Sequence, residues 1–209
     1  MTGPERLRAA LRETLRETLR ETSRAEWVDA ALAEAGERPE TISRSFAQAG
    51  RRAGRTPLPG VPGWTADEAT RALLLAALPP DRAGAGIADL YHHGDADEKR
   101  AALKALPMLA VGVAGLPLLH DAIRTNDARL LAAALGPYAR HLDQAAWRQA
   151  VLKCVFTGVP LTAVDGLEER ADRELAAMLA AFADERAAAG RPMPADAAAL
   201  LDRLTREEP

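Results

Sequence analysis

The sequence predicts an all-α protein: an irregular, HEAT-like helical solenoid of antiparallel helix pairs, entered through a long N-terminal helix. Three observations carry this reading. Apolar residues recur at helical spacing along the chain, with no sustained alternating run and no Asn-Gly hairpin signal. Helix-start signals, a Thr or Asp with Glu three residues on, recur between Gly and Pro stops. Aromatic residues are only 4% of the chain, so the core falls to Leu, Ala and Val, which suits close-packed helices better than a sheet sandwich.

Residues 5–35 read as one helix. Within it, Leu11-Arg-Glu-Thr-Leu-Arg-Glu-Thr-Leu-Arg-Glu-Thr22 repeats a four-residue unit. Leu7, Leu11, Leu15 and Leu19 therefore form one apolar stripe, and Glu13–Arg16 and Glu17–Arg20 are i,i+3 pairs. A period of four drifts around a helix of about 3.6 residues per turn, so the stripe suits a short contact better than a coiled coil. The interspersed Glu residues argue against a membrane-surface helix, which needs a basic face.

A short helix follows over 39–51, with Ile42 and Phe46 inward. The Pro- and Gly-rich residues 50–63 form a loop. Thr65-Ala-Asp-Glu68 is a capping box opening a helix to Leu78, where Pro79-Pro80 stops it. Gly84 and Gly86 lie in the connection to a short helical piece at 87–93. Asp95-Ala-Asp-Glu98 starts a helix to about Leu109, and Pro117 sits near the first turn of one ending at Arg124. Asn126 or Asp127 caps a helix to Leu135, and Asp143 caps the helix 144–157, closed by Gly158-Val-Pro160. Asp165-Gly-Leu-Glu168 opens a long helix to about Ala189, and 195–205 is the last. Residues 94–109 and 116–135 resemble HEAT-type helices, each too small to bury a face alone. The chain divides into an N-terminal helical segment with its loop, 1–63, and a helical-repeat domain, 64–209, read as one continuous structural unit.

Charge excludes one function class. The net charge of −3 is interleaved, without the basic stripe of a nucleic-acid binder. The start of the chain lacks the apolar core of a signal peptide. The longest apolar run, Ala72 to Leu78, is far short of the ~20 residues that span a bilayer. A single cysteine, Cys154, forms no internal disulfide. Together these point to the cytoplasm, with no stable membrane insertion.

The most informative segment is Trp147-Arg-Gln-Ala-Val-Leu-Lys-Cys-Val-Phe-Thr-Gly158. It is apolar nearly all round, as a buried helix is, yet Gln149, Lys153 and Thr157 form a polar stripe with Arg148 beside it. Charge on a buried helix must be paired or must face a groove. The two readings are a structural ion pair with a neighbouring helix and a cationic wall that recognises an anionic ligand or partner. In His120-Asp-Ala-Ile-Arg-Thr-Asn-Asp127 the readings are a helix end with a capped successor and a polar cluster at an inter-helix corner. The candidate binding residues are therefore Arg124, Asn126, Asp127, Arg148 and Lys153, sharing one groove if the helices stack. For acid/base chemistry the available set is His120, Asp121 and Asp127.

Other chemistry finds little support. His92 and His93 are adjacent, point apart and have no second ligand pair at metal spacing, so neither a metal nor a cofactor is expected. Cys154 lies inside an apolar helix, where a thiol is an inert packing group. Arg51, Arg52 and Arg55 belong to a solvated loop. No Gly-rich phosphate loop, Gly-x-Ser-x-Gly elbow or His-Glu-x-x-His is present.

Several stretches resemble the EboA family: Leu90-Tyr-His-His-Gly-Asp95, Glu98-Lys-Arg-Ala-Ala-Leu-Lys-Ala-Leu-Pro107, Arg124-Thr-Asn-Asp127, Ala134-Leu-Gly-Pro-Tyr138, Trp147-Arg-Gln-Ala-Val-Leu-Lys-Cys154 and Phe156-Thr-Gly-Val-Pro160. The resemblance covers roughly residues 64–195 and leaves the Leu-Arg-Glu-Thr repeat outside it. It implies a place in the ebo gene cluster, which also encodes a prenyltransferase-like membrane protein, a TatD-like hydrolase and sugar-phosphate-cyclase-like and isomerase-like proteins. It implies a link to making or exporting specialised metabolites, and supplies no catalytic residues. The expectation is a non-catalytic binding or scaffold protein whose groove takes an anionic small molecule or another ebo-cluster protein. The alternative is an enzyme or enzyme subunit acting on a polyol or phosphorylated intermediate.

Overall fold

The leucine stripe of the N-terminal repeat is the first fixed point of the structure, a computed structural model that describes residues 3–19 and 23–206. Leu11, Leu15 and Leu19 are at most 3% exposed, on helix α1 (Gly3–Leu19). The single helix expected over 5–35 is two. Helix α2 (Ser23–Glu37) starts anew, burying Val28, Ala31 and Ala35, and residues 20–22 between them lie outside the described residues, as does the expected partner Arg20. Ser23-Arg-Ala-Glu26 has the spacing of a helix start, a signal that the run of helical periodicity masks.

Among the described residues, twelve α-helices and four short 3-10 turns make up the regular structure, and there is no strand. The chain divides into two compact units, Met1–Leu118 and Leu119–Pro209.

The centre of the first unit is α4 (Ala66–Ala77), buried on every side from Ala66 to Leu75. Helices α1, α2, α3 (Ile42–Arg52), α5 (Pro80–His93) and α6 (Ala96–Ala105) all pack against it. Ile42 and Phe46 point inward from α3 as expected, and the loop between α3 and α4 lies inside this unit. The capping box forms: Thr65 N–H donates to Glu68 Oε2 at 3.1 Å. Helix α4 ends at Ala77, with Leu78 extended, ahead of Pro79-Pro80 as expected, but Pro80 is also a start. It begins α5, in the first turn, where a missing N–H costs nothing, and α5 runs through Gly84 and Gly86. Gly86 earns its place: a Cβ there would meet Leu78 Cδ1 at 2.8 Å.

Because α4 is buried all round, its polar residues must be satisfied internally. Arg71, 3% exposed, pairs with Asp67 (Nη1–Oδ2, 2.8 Å), donates through Nε to the Phe46 carbonyl (3.1 Å) and lies over the Phe46 ring. Glu68 is held by Lys104 Nζ at 2.5 Å from α6, and Arg100 Nη1 stands 2.9 Å from its other oxygen. Lys104 also donates to the Gly63 carbonyl (2.7 Å) and sits 4.2 Å above the Trp64 ring. Burial pushes the Lys104 ammonium below its ordinary pKa, and the Glu68 carboxylate opposes that fall.

Helix α7 (Leu116–Arg124) carries the boundary between the units. The second unit continues with α8 (Ala128–Ala134), α9 (Gln144–Thr157), α10 (Leu167–Arg170), α11 (Arg173–Ala188) and α12 (Ala195–Arg206). Helix α9 packs on α8 and α11, and α11 on α12. Asp127 and Asp143 cap α8 and α9 through their side chains, and Gly158 closes α9 at φ 73°, a left-handed conformation that costs glycine nothing. The long helix expected from Asp165 to Ala189 is broken. Asp172 accepts from Leu175 N–H and caps a fresh helix, so α10 ends after four residues.

Candidate functional site

Helix α9 places Arg148 and Lys153 on different neighbours. Arg148 grips Asp172 at the start of α11, with Nε 2.9 Å from Oδ1 and Nη2 2.5 Å from Oδ2. The guanidinium holds the Asp172 carboxyl down at about 2. Lys153 turns the other way. Its Nζ donates to the carbonyls of Ile123 (2.6 Å) and Thr125 (2.7 Å), satisfying acceptors that the end of α7 leaves open. Both cations are thus engaged within the unit.

The other three candidates sit at the corner that Lys153 closes. Arg124 is exposed and pairs loosely with Asp121 (3.5 Å). Asp127 caps α8 and pairs with Arg129 at 2.9 Å, which lowers its pKa. Asn126 is exposed between them. The structure brings Arg124, Asn126, Asp127 and Lys153 together and leaves Arg148 on the α11 side. His120 is exposed, while Asp121 and Asp127 face arginines. Cys154 is buried, and burial pushes its thiol up to about 12. Helix α9 is less enclosed than its composition implies: Phe156 is 60% exposed and stacks on Phe182 with ring centres 4.4 Å apart.

Open space lies elsewhere. In the second unit, a cavity of about 760 Å³ is ringed by Asp165, Glu168, Glu169 and Asp196, with Arg203 as its basic member. Glu168 takes Arg203, and Asp196 accepts from the Leu161 N–H. Its balance is acidic.

In the first unit, an open groove of about 600 Å³ runs beside α1. Arg8, Arg12 and Arg16 form one wall, Asp29 of α2 faces them, and Leu32, Ala33, Leu73, Ala76 and Ala77 complete the lining. Sequence reasoning missed this wall, although its signal was in the repeat. Neighbouring helix positions differ by about 100°. With the leucines turned in, the arginines fall on one flank, the threonines on the other and the glutamates outside. Thr14 accordingly meets the loop at Gly60, where an added Cβ would stand 2.8 Å from its Oγ1. Arg16 reaches Asp29 at 3.4 Å rather than the expected Glu13. Arg8 donates to the Met108 carbonyl at 2.7 Å, and Arg12 has no hydrogen-bond or ion-pair partner among the described residues.

Among the described residues, no group of three or more His, Cys, Asp or Glu side chains is arranged to hold a metal ion, and no helix is long and apolar enough to cross a membrane. A family model described as metabolite traffic protein EboA matches residues 52–202. No curated protein and no solved structure matches the chain.

Proposed function

The chain belongs to the EboA family of metabolite traffic proteins, and from that premise we propose that it is a non-catalytic binding or scaffold protein, holding an anionic ligand or partner without transforming it. One observation supports this most: apart from the exposed His120, the side chains suited to chemistry are spent on the fold. Asp127 caps a helix, Asp172 caps another while holding Arg148, Lys153 closes the end of α7, and the Cys154 thiol is buried and protonated. A general base or nucleophile must instead be free to meet its substrate. We read the helix neighbours as antiparallel, irregular HEAT-like pairs, an architecture whose usual work is presenting surfaces to partners. Arg124 and Asn126, exposed at the α7–α8 corner, belong to such a surface.

The test is retention against turnover. The purified chain is incubated with phosphorylated polyols and the products are analysed, and proteins encoded beside it are passed over it in a pull-down. Retention without product supports the reading. Product formation that His120→Ala or Asp121→Asn abolishes would overturn it in favour of an enzyme.

A further inference from the structure

We propose that the groove beside α1 binds single amphiphilic anions, organic molecules with a phosphate or carboxylate head on an apolar body. The inference rests on the binding reading above and gives it a place and a ligand class.

The charge comes from the repeat. Arg8, Arg12 and Arg16 follow one another at one helical turn, a ladder about 12 Å long at about 1.5 Å rise per residue. Three guanidinium groups face one carboxylate, Asp29, whose ion pair with Arg16 is about half exposed at both ends. Arg8 is held by a neutral carbonyl, and Arg12 is unpartnered among the described residues. Positive charge is therefore left over, on the side chain best shaped for bidentate phosphate or carboxylate recognition.

The lining supplies the second half. Leu73 is buried, Leu32, Ala76 and Ala77 are half-buried, and no acidic residue but Asp29 lines the groove. Its volume of about 600 Å³ is ample for a small organic ligand. A free inorganic anion would use the arginines and waste the apolar lining. A neutral apolar ligand would leave the arginines unanswered. The acidic cavity of the second unit would repel the same molecule.

A membrane surface is the other source of anionic amphiphiles, and α1 is turned the wrong way for it. Its leucines are buried inward, and Glu13 and Glu17 are exposed on the outer face. A helix lying on an anionic bilayer needs its apolar face out and its charged flank basic.

The experiment measures binding to the full chain by calorimetry. Its probes are monomeric decyl phosphate, decanol, inorganic phosphate and phosphatidylglycerol vesicles. Decyl phosphate is expected to bind at least about ten-fold tighter than phosphate or decanol, with no vesicle association. The Arg12→Gln/Arg16→Gln double variant should lose about ten-fold or more in affinity, the size of a charge-assisted contact. Ala33→Phe, which fills the groove from an exposed position, should lose it as well, with an unchanged circular dichroism spectrum for both. Equal affinity in wild type and both variants, or binding to vesicles alone, overturns the inference and leaves the binding reading standing. Conversion of decyl phosphate to product would sink the binding reading while keeping the groove.

Discussion

Arg148 and Asp172 are joined by three hydrogen bonds between α9 and α11, and the same carboxylate caps the helix it begins. One residue thus fixes both where α11 starts and which way Arg148 points. Asp172→Asn keeps an N-cap but removes the charge. Its cost at neutral pH is expected to be that of a partly exposed ion pair and therefore small. The pH dependence is the sharper readout. The folded carboxyl titrates at about 2 against an ordinary 3.8, so its contribution is present above 3.8 and fades as pH falls through about 2. Urea midpoints of wild type and variant should converge over that window. A gap that persists below it would show that the charge pair is not its source.

Lys153 is a second pinned cation, held by two backbone carbonyls. Lys153→Met should lose about 1.5–3 kcal/mol, since the end of α7 is left with unanswered acceptors beside a part-buried side chain. The urea midpoint should fall at constant slope. An unchanged midpoint would mean that Nζ is free to serve a ligand.

Glu68 holds Lys104 beside Arg100 in the first unit, with 4% of its side chain exposed. Removing one partner from a buried pair strands the other charges, so Glu68→Gln should cost about 3 kcal/mol. Lys104 already titrates below its ordinary 10.5 because it is buried, and Glu68 is what holds it up. The folded state therefore releases a proton before the unfolded chain does, and stability rises with pH on the approach to 10.5. The variant's deficit should shrink on that approach. Adding Lys104→Met should abolish the slope.

Cys154 offers a chemical check. A thiol pushed up to about 12 inside α9 is neither ionised nor reachable. Iodoacetamide should leave the native chain unmodified at neutral pH and label it fully in denaturant. Rapid native labelling would place α9 at the surface and reopen a nucleophilic role.

Much of the fold was legible because its signals are local. Thr65, Asp95, Asp127 and Asp143 are caps that need only their own next turn, and all four act as such. Two misreadings share a cause. The fresh start of α2 at Ser23 and the restart at Asp172 fall within runs whose helical periodicity is unbroken, so the pattern hides them. Pro79-Pro80 stops α4 as expected, but Pro80 also opens α5, so Gly84 and Gly86 lie in a helix and not in a connection. A proline suits the first helical turn as well as the residue past the last, and only the neighbours decide. The site was less legible. Arg148 and Lys153 stood out because charge on an apolar helix demands an answer, but the answers were Asp172 on a helix start hidden from the pattern and the carbonyls ending α7. The arginines of the repeat looked like solvated surface, because nothing in their own helix announces that α2 and α4 lie beside them.

Helix α1 is moored by Leu11, Leu15 and Leu19 and reaches over α2 with the arginines between them. Mooring and gripping are one equilibrium. A guest held against the floor by these arginines would pull the leucines deeper into their seat, and a loosened helix would let the guest go. Trimming a single leucine to alanine, on the buried side of α1, should therefore speed release of the guest as well as fraying of the helix.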